Sequence, residues 1–449
     1  MSDLLGIGLS GVRAYKTAIA AVADNVANAE TPGYARRDVR IREGINSGST
    51  SPLYREDLLF AGSEAASVTR AWDMYRAADS RFASSASGRA DARAQWLGAI
   101  ETALGDGPAA VGARIGQFFN AGESLAATPS DPLGRKAMLM SLDDAAGAIR
   151  STAESLARVS EGIGQAVALD VKGLNDELAA LAEVNIALRQ SAPGRTSRAS
   201  LEDERDRLVD SISARLDVTA SIGANGVATL TLGRVSGVTL LEPGSRAQIE
   251  AVRATDGRVS LRMFANGTTT PLPATGGRLA GLVDVAASTA DKRAEVEGVA
   301  AQLVAEVNDW NAAGRTAAGI AGGPLLAMTA GAMSLIVATG DPAAIAAASA
   351  DGTENGNLLS LSALRGADGS ESRWAALVAA QAQSLSAARS EAAAAATRRE
   401  GSFAARDEIS GIDLDREAAE LMRYQRAYDG SAKIIQVARD TIQTILDII

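Results

Sequence analysis

The sequence of 449 residues contains no cysteine and no histidine. Disulfides, zinc sites built from Cys and His, Ser-His-Asp triads and Cys-His dyads are therefore all excluded. Aromatic residues make up only 4% of the chain, whereas alanine is abundant and glycine reaches 44 residues. This composition is typical of closely packed helices that are joined by glycine-containing turns.

Long apolar runs and an excess of positive charge are also missing. No apolar run reaches the roughly 20 residues that a membrane-spanning helix needs. A formal net charge of −10 argues against wholesale nucleic-acid binding. The segment Met1–Gly11 contains Asp3, lacks a basic n-region and continues directly into an amphipathic pattern. We therefore expect no membrane and no nucleic acid as partner, and any export to proceed without a cleaved signal peptide.

The longest apolar pattern lies at the C-terminal end. From Leu414 onward, alternating steps of three and four residues give a heptad-like stripe that no proline interrupts. Asp413 precedes the stripe as a candidate N-cap. A single helix cannot bury such a stripe, so a partner must cover it, within the chain or in another molecule. The stripe comprises Leu414, Glu417, Leu421, Tyr424, Tyr428, Ser431, Ile435, Ala438, Ile442, Ile445 and Ile449.

A second apolar stripe lies at the N-terminal end and predicts an amphipathic helix. A turn is predicted after it at Thr31-Pro32-Gly33-Tyr34, where proline presets the second position and glycine accepts a positive φ at the third. Two interpretations stay open: an antiparallel helix pair that caps a globular core, or paired termini that form a polymerisation module. The stripe comprises Leu5, Leu9, Val12, Ile19, Val22 and Val26.

Between the two ends, helical patterns flank a short β-rich stretch. From Asp217 the pattern alternates with period two around residues 223–226, which predicts a hairpin followed by short strands up to about Pro273. A loop is predicted at 44–52 from its glycine, serine and proline content. Helices are predicted over about 71–104, 110–127, 133–189, 201–216, 279–307 and 374–405. In the first of these, the expected buried positions are Trp72, Tyr75, Phe82, Trp96, Leu97 and Ile100.

The predicted fold class is mainly α with a β-rich insertion (α+β). Long terminal helices pair as a coiled coil, a helical layer lies in the middle and a small β domain lies outside. The predicted domains are 1–40 with 406–449 for terminal assembly, 41–216 with 276–405 for the helical middle, and 217–275 for the outer β domain. One basic cluster interleaved with acidic residues favours a solvated or subunit-facing strand over a phosphate site. It comprises Arg36, Arg37, Arg40 and Arg42.

Two terminal stretches carry a family resemblance. Residues 27–34, Ala-Asn-Ala-Glu-Thr-Pro-Gly-Tyr, resemble the N-terminal signature of bacterial flagellar rod, hook and hook-associated proteins. Residues 424–428, Tyr-Gln-Arg-Ala-Tyr, resemble the hook-associated branch, because hook and rod proteins usually have Gln-x-x-Tyr without the first tyrosine. The inner stretches 118–132 and 201–210 are similar to the same branch. The chain departs from the family pattern at Asp24, at Gly430 and in a compact β region.

The resemblance implies a structural adaptor between the flagellar hook and the filament, exported through the flagellar type III apparatus to the outside of the cell. The implied partners are a ring of like subunits, the hook protein, a second hook–filament junction protein and an export chaperone at the C-terminal helix. The expected assembly interface comprises Leu5, Leu9, Val12, Ile19, Val22, Val26, Asn28, Thr31, Pro32, Gly33, Tyr34, Leu414, Leu421, Tyr424, Tyr428, Ile435, Ile442 and Ile445.

Two alternatives remain at this point. One is another axial protein of the flagellum, from the hook or the distal rod. The other is a secreted wall hydrolase that uses two carboxylates, but the acidic pairs Glu202/Glu204 and Asp143/Asp144 lie on polar faces of predicted helices, with no apolar frame that would raise a carboxyl pKa. We therefore predict no enzyme, no catalytic residue, no metal site and no cofactor.

Overall fold

The structure is a computed structural model that describes residues 2–44, 62–233 and 237–447. Most of the described residues are α-helical, and short antiparallel strands interrupt the helices, which confirms the predicted class of a mainly α fold with a β-rich insertion. The helices are α1 Ser2–Ala27, α2 Met74–Leu104, α3 Val111–Ala126, α4 Pro132–Gln190, α5 Thr196–Arg215, α6 Gly277–Ala313, α7 Gly356–Ser360, α8 Ser370–Ser410 and α9 Leu414–Leu446.

The strands form four small sheets in the described part of the chain: β1–β2, β3–β4–β5–β6, β7–β8–β9 and β10–β11. Their bounds are β1 Arg37–Glu43, β2 Ser63–Arg70, β3 Val218–Ile222, β4 Ala228–Leu232, β5 Thr239–Glu242, β6 Ser245–Arg246, β7 Gln248–Arg253, β8 Val259–Ala265, β9 Thr268–Leu272, β10 Leu326–Ala327 and β11 Ile336–Val337. The predicted hairpin is confirmed as β3–β4, with Gly226 at φ +79° in its turn. Most of the loop predicted at 44–52 lies outside the described residues.

Helix α4 is the longest element and runs through the core. Its 59 residues extend roughly 88 Å at 1.5 Å per residue. Asp131 caps its N-terminus by accepting hydrogen bonds from the backbone N–H groups of Leu133 and Gly134, and Pro132 occupies the first turn, where no N–H partner is needed. Apolar residues at heptad spacing are fully buried against the neighbouring helices. They include Leu142, Ile149, Leu156 and Ile163.

Helix α2 buries a different face from the predicted one. Leu97 and Ile100 are buried as expected, but Tyr75 is 78% exposed and Phe82 is also exposed, so the expectation that they are buried is wrong. Apart from Arg81, the buried positions in the first half of this helix are small residues, including Ala77, Ser80, Ala83, Ser84 and Ser87. Small side chains let neighbouring helices approach closely, which leaves the large side chains at the outside.

Candidate assembly surface

Helices α1 and α9 lie antiparallel, so the two ends of the chain are packed together. The rings of Tyr15 and Tyr424 are 6.5 Å apart between centroids. Towards one end of the pair, a Cβ on Gly8 would lie 2.6 Å from Ile435 Cγ1. Towards the other end, Asn25 Nδ2 donates a hydrogen bond of 2.9 Å to Glu417 Oε2. The partner that the C-terminal stripe requires is thus supplied, at least in part, by α1.

The contact between the two helices is made mainly by small residues. On α9, Ser431 and Ala438 are buried, and on α1 the buried positions recur at three and four residues. At Gly11, a Cβ would lie 2.5 Å from Ser431 Oγ and 3.0 Å from Ser431 Cβ, so a larger residue requires Ser431 or the helices to shift. The buried stripe of α1 comprises Gly8, Gly11, Ala14, Ala18, Val22 and Asn25.

The stripe predicted for α1 lies roughly a quarter of a turn away from this packed face, at about 100° per residue. Val22 is buried, but Leu9 and Val26 are 42% and 44% exposed, and the remaining members are half-buried. The expectation that the large apolar residues face the partner helix is therefore wrong for Leu9 and Val26. Their role in assembly between subunits stays a prediction. The half-buried members are Leu5, Val12 and Ile19.

On α9 the predicted stripe does face α1 along most of the helix. Leu414 and Ile445, near the two ends, are exposed, and Ile449 lies outside the described residues. A second set of apolar side chains, made of Met422, Ile434 and Val437, points away from the stripe and is exposed. Helix α9 therefore carries apolar residues on more than one side. The half-buried members of the stripe are Leu421, Tyr424, Tyr428, Ile435 and Ile442.

Glycine substitutions test this contact. We expect Gly11→Leu to separate α1 from α9 and to lower the amide hydrogen-exchange protection of both helices by about tenfold or more, because protection follows local opening. Gly6→Leu is the matched control: a Cβ at Gly6 meets no atom within 4 Å. The control should keep or increase protection, since leucine is the better helix former by up to about 1 kcal/mol. Equal protection in the two variants would contradict the close contact.

The predicted turn after α1 is present and exposed at its tip. The N–H of Thr31 donates to the carbonyl of Asn28 at 2.9 Å, the N–H of Tyr34 donates to the carbonyl of Thr31 at 3.2 Å, and Gly33 adopts φ +80°. The Asn28 side chain donates to the carbonyl of Asp24 at 2.9 Å and so covers the last turn of α1. Thr31, Pro32 and Gly33 are exposed, whereas Asn28 and Tyr34 are half-buried.

Asn25 joins four segments at the end of the helix pair where α1 ends and α9 begins. Its Nδ2 donates to the carbonyl of Arg37 at 3.0 Å and to Glu417, and its Oδ1 accepts from the Arg37 N–H at 2.9 Å and from the Tyr34 hydroxyl at 3.0 Å. This buried side chain joins α1, the turn, β1 and α9 with its hydrogen-bonding capacity satisfied. Burial raises the pKa of Tyr34 to about 12, so the hydroxyl keeps its proton and stays a donor.

An ion-pair cluster continues from Asn25 into the middle of the chain. Arg37 pairs with Asp24 at 2.6 Å and with Asp203 at 3.2 Å, and Arg70 pairs with Asp203 at 2.7 Å. Arg36 and Arg37 are buried, so the prediction of a solvated or subunit-facing strand is wrong for these two residues. It holds for Arg40 and Arg42, which are exposed.

Asp206 on α5 is the most heavily paired carboxylate of this cluster. It accepts from Arg70 at 2.8 Å, from Arg81 at 3.2 Å and from Arg205 at 2.9 Å, and all four side chains are nearly inaccessible. Burial raises the pKa of Asp206, but Arg205, Arg70 and Arg81 outweigh that effect and hold this pKa below its ordinary range. One turn further on, Asp210 pairs with Arg81 and, at 2.8 Å, with Arg406 of α8.

The cluster and Asn25 together form a polar joint that ties the terminal helices to α2, α5 and α8. The sequence does not reveal this joint, because the acidic positions of α5 lie in a charged helical pattern that is typical of a solvated face. One signal was available: Glu417 is a carboxylate inside an apolar stripe, and it is buried beside Asn25 and 3.8 Å from Arg36. Among the described helices none is long and apolar enough to cross a membrane.

Comparison with known proteins relates this arrangement to flagellar proteins. The family described as "Flagellar hook-associated protein FlgK helical domain" matches residues 97–326, and that described as "Flagellar basal body rod FlgEFG protein C-terminal" matches residues 405–448. The structure of the flagellar hook junction protein FlgK from Burkholderia pseudomallei is similar in fold. It has a TM-score of 0.65 at 14% identity, over 74% of this chain and 100% of that one.

Curated relatives match over part of their length. Flagellar hook-associated protein 1 of Salmonella typhimurium is 24% identical over 254 residues, 56% of this chain and 45% of that protein. The same-named protein of Bacillus subtilis is 24% identical over 216 residues, 47% and 43% of the two chains. The chain thus spans a little under half the length of the curated relatives it matches. Because the first family description covers more than half of the 449 residues, and the relatives agree with it, the chain belongs to the flagellar hook-associated protein FlgK family.

Proposed function

We propose that this chain is a structural adaptor that joins the flagellar hook to the filament by self-assembly of its paired terminal helices. The observation that carries the proposal is the α1–α9 pair, which covers one side of the C-terminal stripe and leaves large apolar residues exposed on other sides. Apolar side chains on both members of a helix pair become stable when neighbouring subunits cover them. The role requires shape and packing and needs no catalytic residue.

We assign each of the three proposed domains its own role in the assembly. Residues 1–40 and 406–449 form the terminal assembly domain and line an inner tube as a coiled coil. Residues 41–216 and 276–405 form the helical middle domain, and residues 217–275, which contain β3 to β9, form the outer domain. The polar joint supports this division, since its buried ion pairs hold the terminal pair at one orientation to the middle helices. A fixed orientation lets identical subunits repeat around an axis.

The proposed partners are a ring of like subunits, the hook protein, a second hook–filament junction protein and an export chaperone that covers α9. The proposed location is outside the cell, at the hook–filament junction. The names of the curated relatives and of the similar structure refer to the flagellar hook and its junction, and they support this location.

Localisation and deletion test the proposal. Electron microscopy of cells that carry a labelled chain should show the label at the boundary between hook and filament. Deletion of the gene should leave hooks without filaments and should release flagellin into the medium. A label along the whole hook would instead indicate a hook protein, and a label at the hook base would indicate a distal-rod protein. Either pattern would contradict the junction role.

A chaperone on α9 follows from the same exposed residues. Before assembly, the exposed apolar side chains of α9 favour aggregation, so a protein that covers them is required in the cytoplasm. We expect deletion of residues 424–449 to abolish chaperone capture in a pull-down from cells. Deletion of residues 2–27 is the control: it removes α1, leaves the stripe of α9 more accessible and should retain capture. Capture that survives the first deletion would place the chaperone elsewhere.

A further inference from the structure

A cavity of about 540 Å³ lies away from the terminal helices, beside the turn that connects α3 to α4. Its walls include Pro129, Pro132 and Pro342 and several alanines, so apolar surface exceeds polar surface in them. Two arginines, Arg135 and Arg315, also line it. The volume falls in the range of about 300–1,000 Å³ that is usual for small-molecule sites, and apolar walls with few charged groups are typical of such sites.

Arg135 is 8% exposed, and no carboxylate among the described residues forms an ion pair with it. Its Nε donates to the carbonyl of Pro129 at 2.7 Å, and its Nη1 donates to the carbonyl of Ile345 at 2.8 Å and more weakly to that of Pro342 at 3.4 Å. Its Nη2 makes no hydrogen bond to a described residue. Burial lowers the pKa of Arg135 below its ordinary value, because desolvation disfavours the charged guanidinium. A buried cation without a counter-charge is costly.

The other buried arginines behave differently. Within residues 2–44, 62–233 and 237–447, each of them forms an ion pair with an aspartate or a glutamate. Arg135 is the exception in that part of the chain, although the protein carries a net charge of −10 and has carboxylates in excess. The paired arginines are Arg36, Arg37, Arg81, Arg198 and Arg205.

Arg315 places a second guanidinium at the same cavity. It is half-buried, its Nη1 bonds the carbonyl of the adjacent Gly314 at 3.1 Å, and it forms no ion pair with any residue that the structure describes. The backbone N–H of Arg315 donates to the carbonyl of Ala348 at 2.7 Å, which anchors the residue at the cavity wall. Glu354, also a lining residue, is exposed and pairs with neither arginine at 4 Å or less.

We propose that this cavity binds a carboxylate carried on a short apolar group, with Arg135 and Arg315 as its charge partners. A guanidinium is planar and matches the geometry of a carboxylate, and the proline and alanine walls suit an apolar body. Arg135 and Arg315 contribute two positive charges and Glu354 contributes one negative charge. A ligand with a single negative charge therefore balances the site. The carboxylate belongs either to a free small acid or to an acidic side chain of a second copy, and the two sources share this chemistry.

Titration calorimetry of the full chain with butyrate tests the site, with butyramide as the uncharged probe of the same shape. We expect saturable binding of butyrate and none of butyramide. Arg315→Gln should raise the Kd for butyrate at least tenfold, whereas Arg158→Gln, which removes an exposed arginine elsewhere on α4, should leave it unchanged. Glu354→Gln should lower the Kd, because it removes the competing negative charge. Arg315 is the residue to replace because Arg135 also binds three carbonyl groups of the fold.

Sedimentation at increasing protein concentration identifies the source of the carboxylate. If a second copy supplies it, Arg315→Gln should weaken self-association, Arg158→Gln should not, and added butyrate should compete. If a free acid is the ligand, self-association should be the same in the natural chain and in both variants while butyrate still binds. Butyrate binding that Arg315→Gln leaves unchanged would overturn the proposal. Absence of butyrate binding together with unchanged self-association would overturn it as well.

Discussion

Replacement of Asp206 by alanine is expected to lower the free energy of unfolding by about 3–5 kcal/mol. The carboxylate accepts hydrogen bonds from Arg70, Arg81 and Arg205, and these three guanidinium groups are almost inaccessible to water. Its removal leaves buried cations with too few counter-charges, and this penalty exceeds the value of the pairs themselves. Chemical denaturation followed by circular dichroism measures the effect.

Asp176→Ala is the matched control, because Asp176 pairs with Lys172 at 2.7 Å while both side chains are mostly exposed. Exposed pairs contribute about 0–1 kcal/mol, so the control should change the free energy of unfolding only slightly. If the two variants were equally stable, the joint would not hold the terminal helices to the middle of the chain.

The pH dependence of the same effect has a defined sign. The folded state holds the pKa of Asp206 below its ordinary range, despite burial, because of Arg205, Arg70 and Arg81. A lowered pKa contributes stability that is present above the unfolded value of about 3.9 and is lost as the pH falls through the folded value. The difference in unfolding free energy between the natural chain and Asp206→Asn should therefore be constant above about pH 5 and shrink in more acidic solution.

Local patterns predicted the long helices and the hairpin, but some helix ends lie several residues away, since α5 begins at Thr196 rather than 201 and α6 ends at Ala313 rather than 307. Asp413 does cap α9, accepting from the N–H groups of Asp415 and Arg416 at 3.0 and 3.3 Å, because an N-cap depends on three or four consecutive residues. The turn at Gly33 and the hairpin turn at Gly226 are equally local, since each requires a positive φ that glycine adopts without strain. Caps and tight turns depend on a few consecutive residues, so a single sequence is enough to predict them.

The packed faces of α1 and α2 could not be predicted in the same way. A hydrophobic pattern weights large side chains, and it assigned Leu9, Val26 and Tyr75 to the buried side. In this alanine-rich chain, close helix contact is made by glycine, alanine and serine, and the large residues lie beside the contact or outside it. Gly11 against Ser431 illustrates the point, because its importance depends on a neighbour that is remote in sequence.

The polar joint and the cavity were also beyond sequence reasoning, since their charges come from distant segments. Arg37 meets Asp203, and Arg81 meets Asp206 and Asp210, only after β1, α2 and α5 have packed. Local composition around Arg37 suggests a solvated strand, and only tertiary structure reveals its burial. The absence of such a partner at Arg135 is likewise a property of the fold.

Val437→Asp is expected to abolish motility while leaving the single chain as stable as before, given the proposed role in assembly. Val437 is 62% exposed on α9, so a carboxylate there remains solvated in the isolated chain and the melting temperature should not change. In a ring of subunits that covers this side of α9, the same carboxylate is buried without a partner, which costs several kcal/mol in every subunit. Cells should carry hooks, lack filaments and shed flagellin into the medium.

Variants at two neighbouring positions distinguish a defect in assembly between subunits from a defect in packing within the chain. Ile435 lies against Gly8, so Ile435→Asp should both loosen the helix pair and abolish motility. Gln436→Asp adds the same charge at an exposed polar position and should keep both the melting temperature and the motility. Melting temperature, swimming in soft agar and flagellin in the medium are measured on each variant. If Val437→Asp cells swim, or if that variant melts early as Ile435→Asp does, the exposed side of α9 is not an assembly surface.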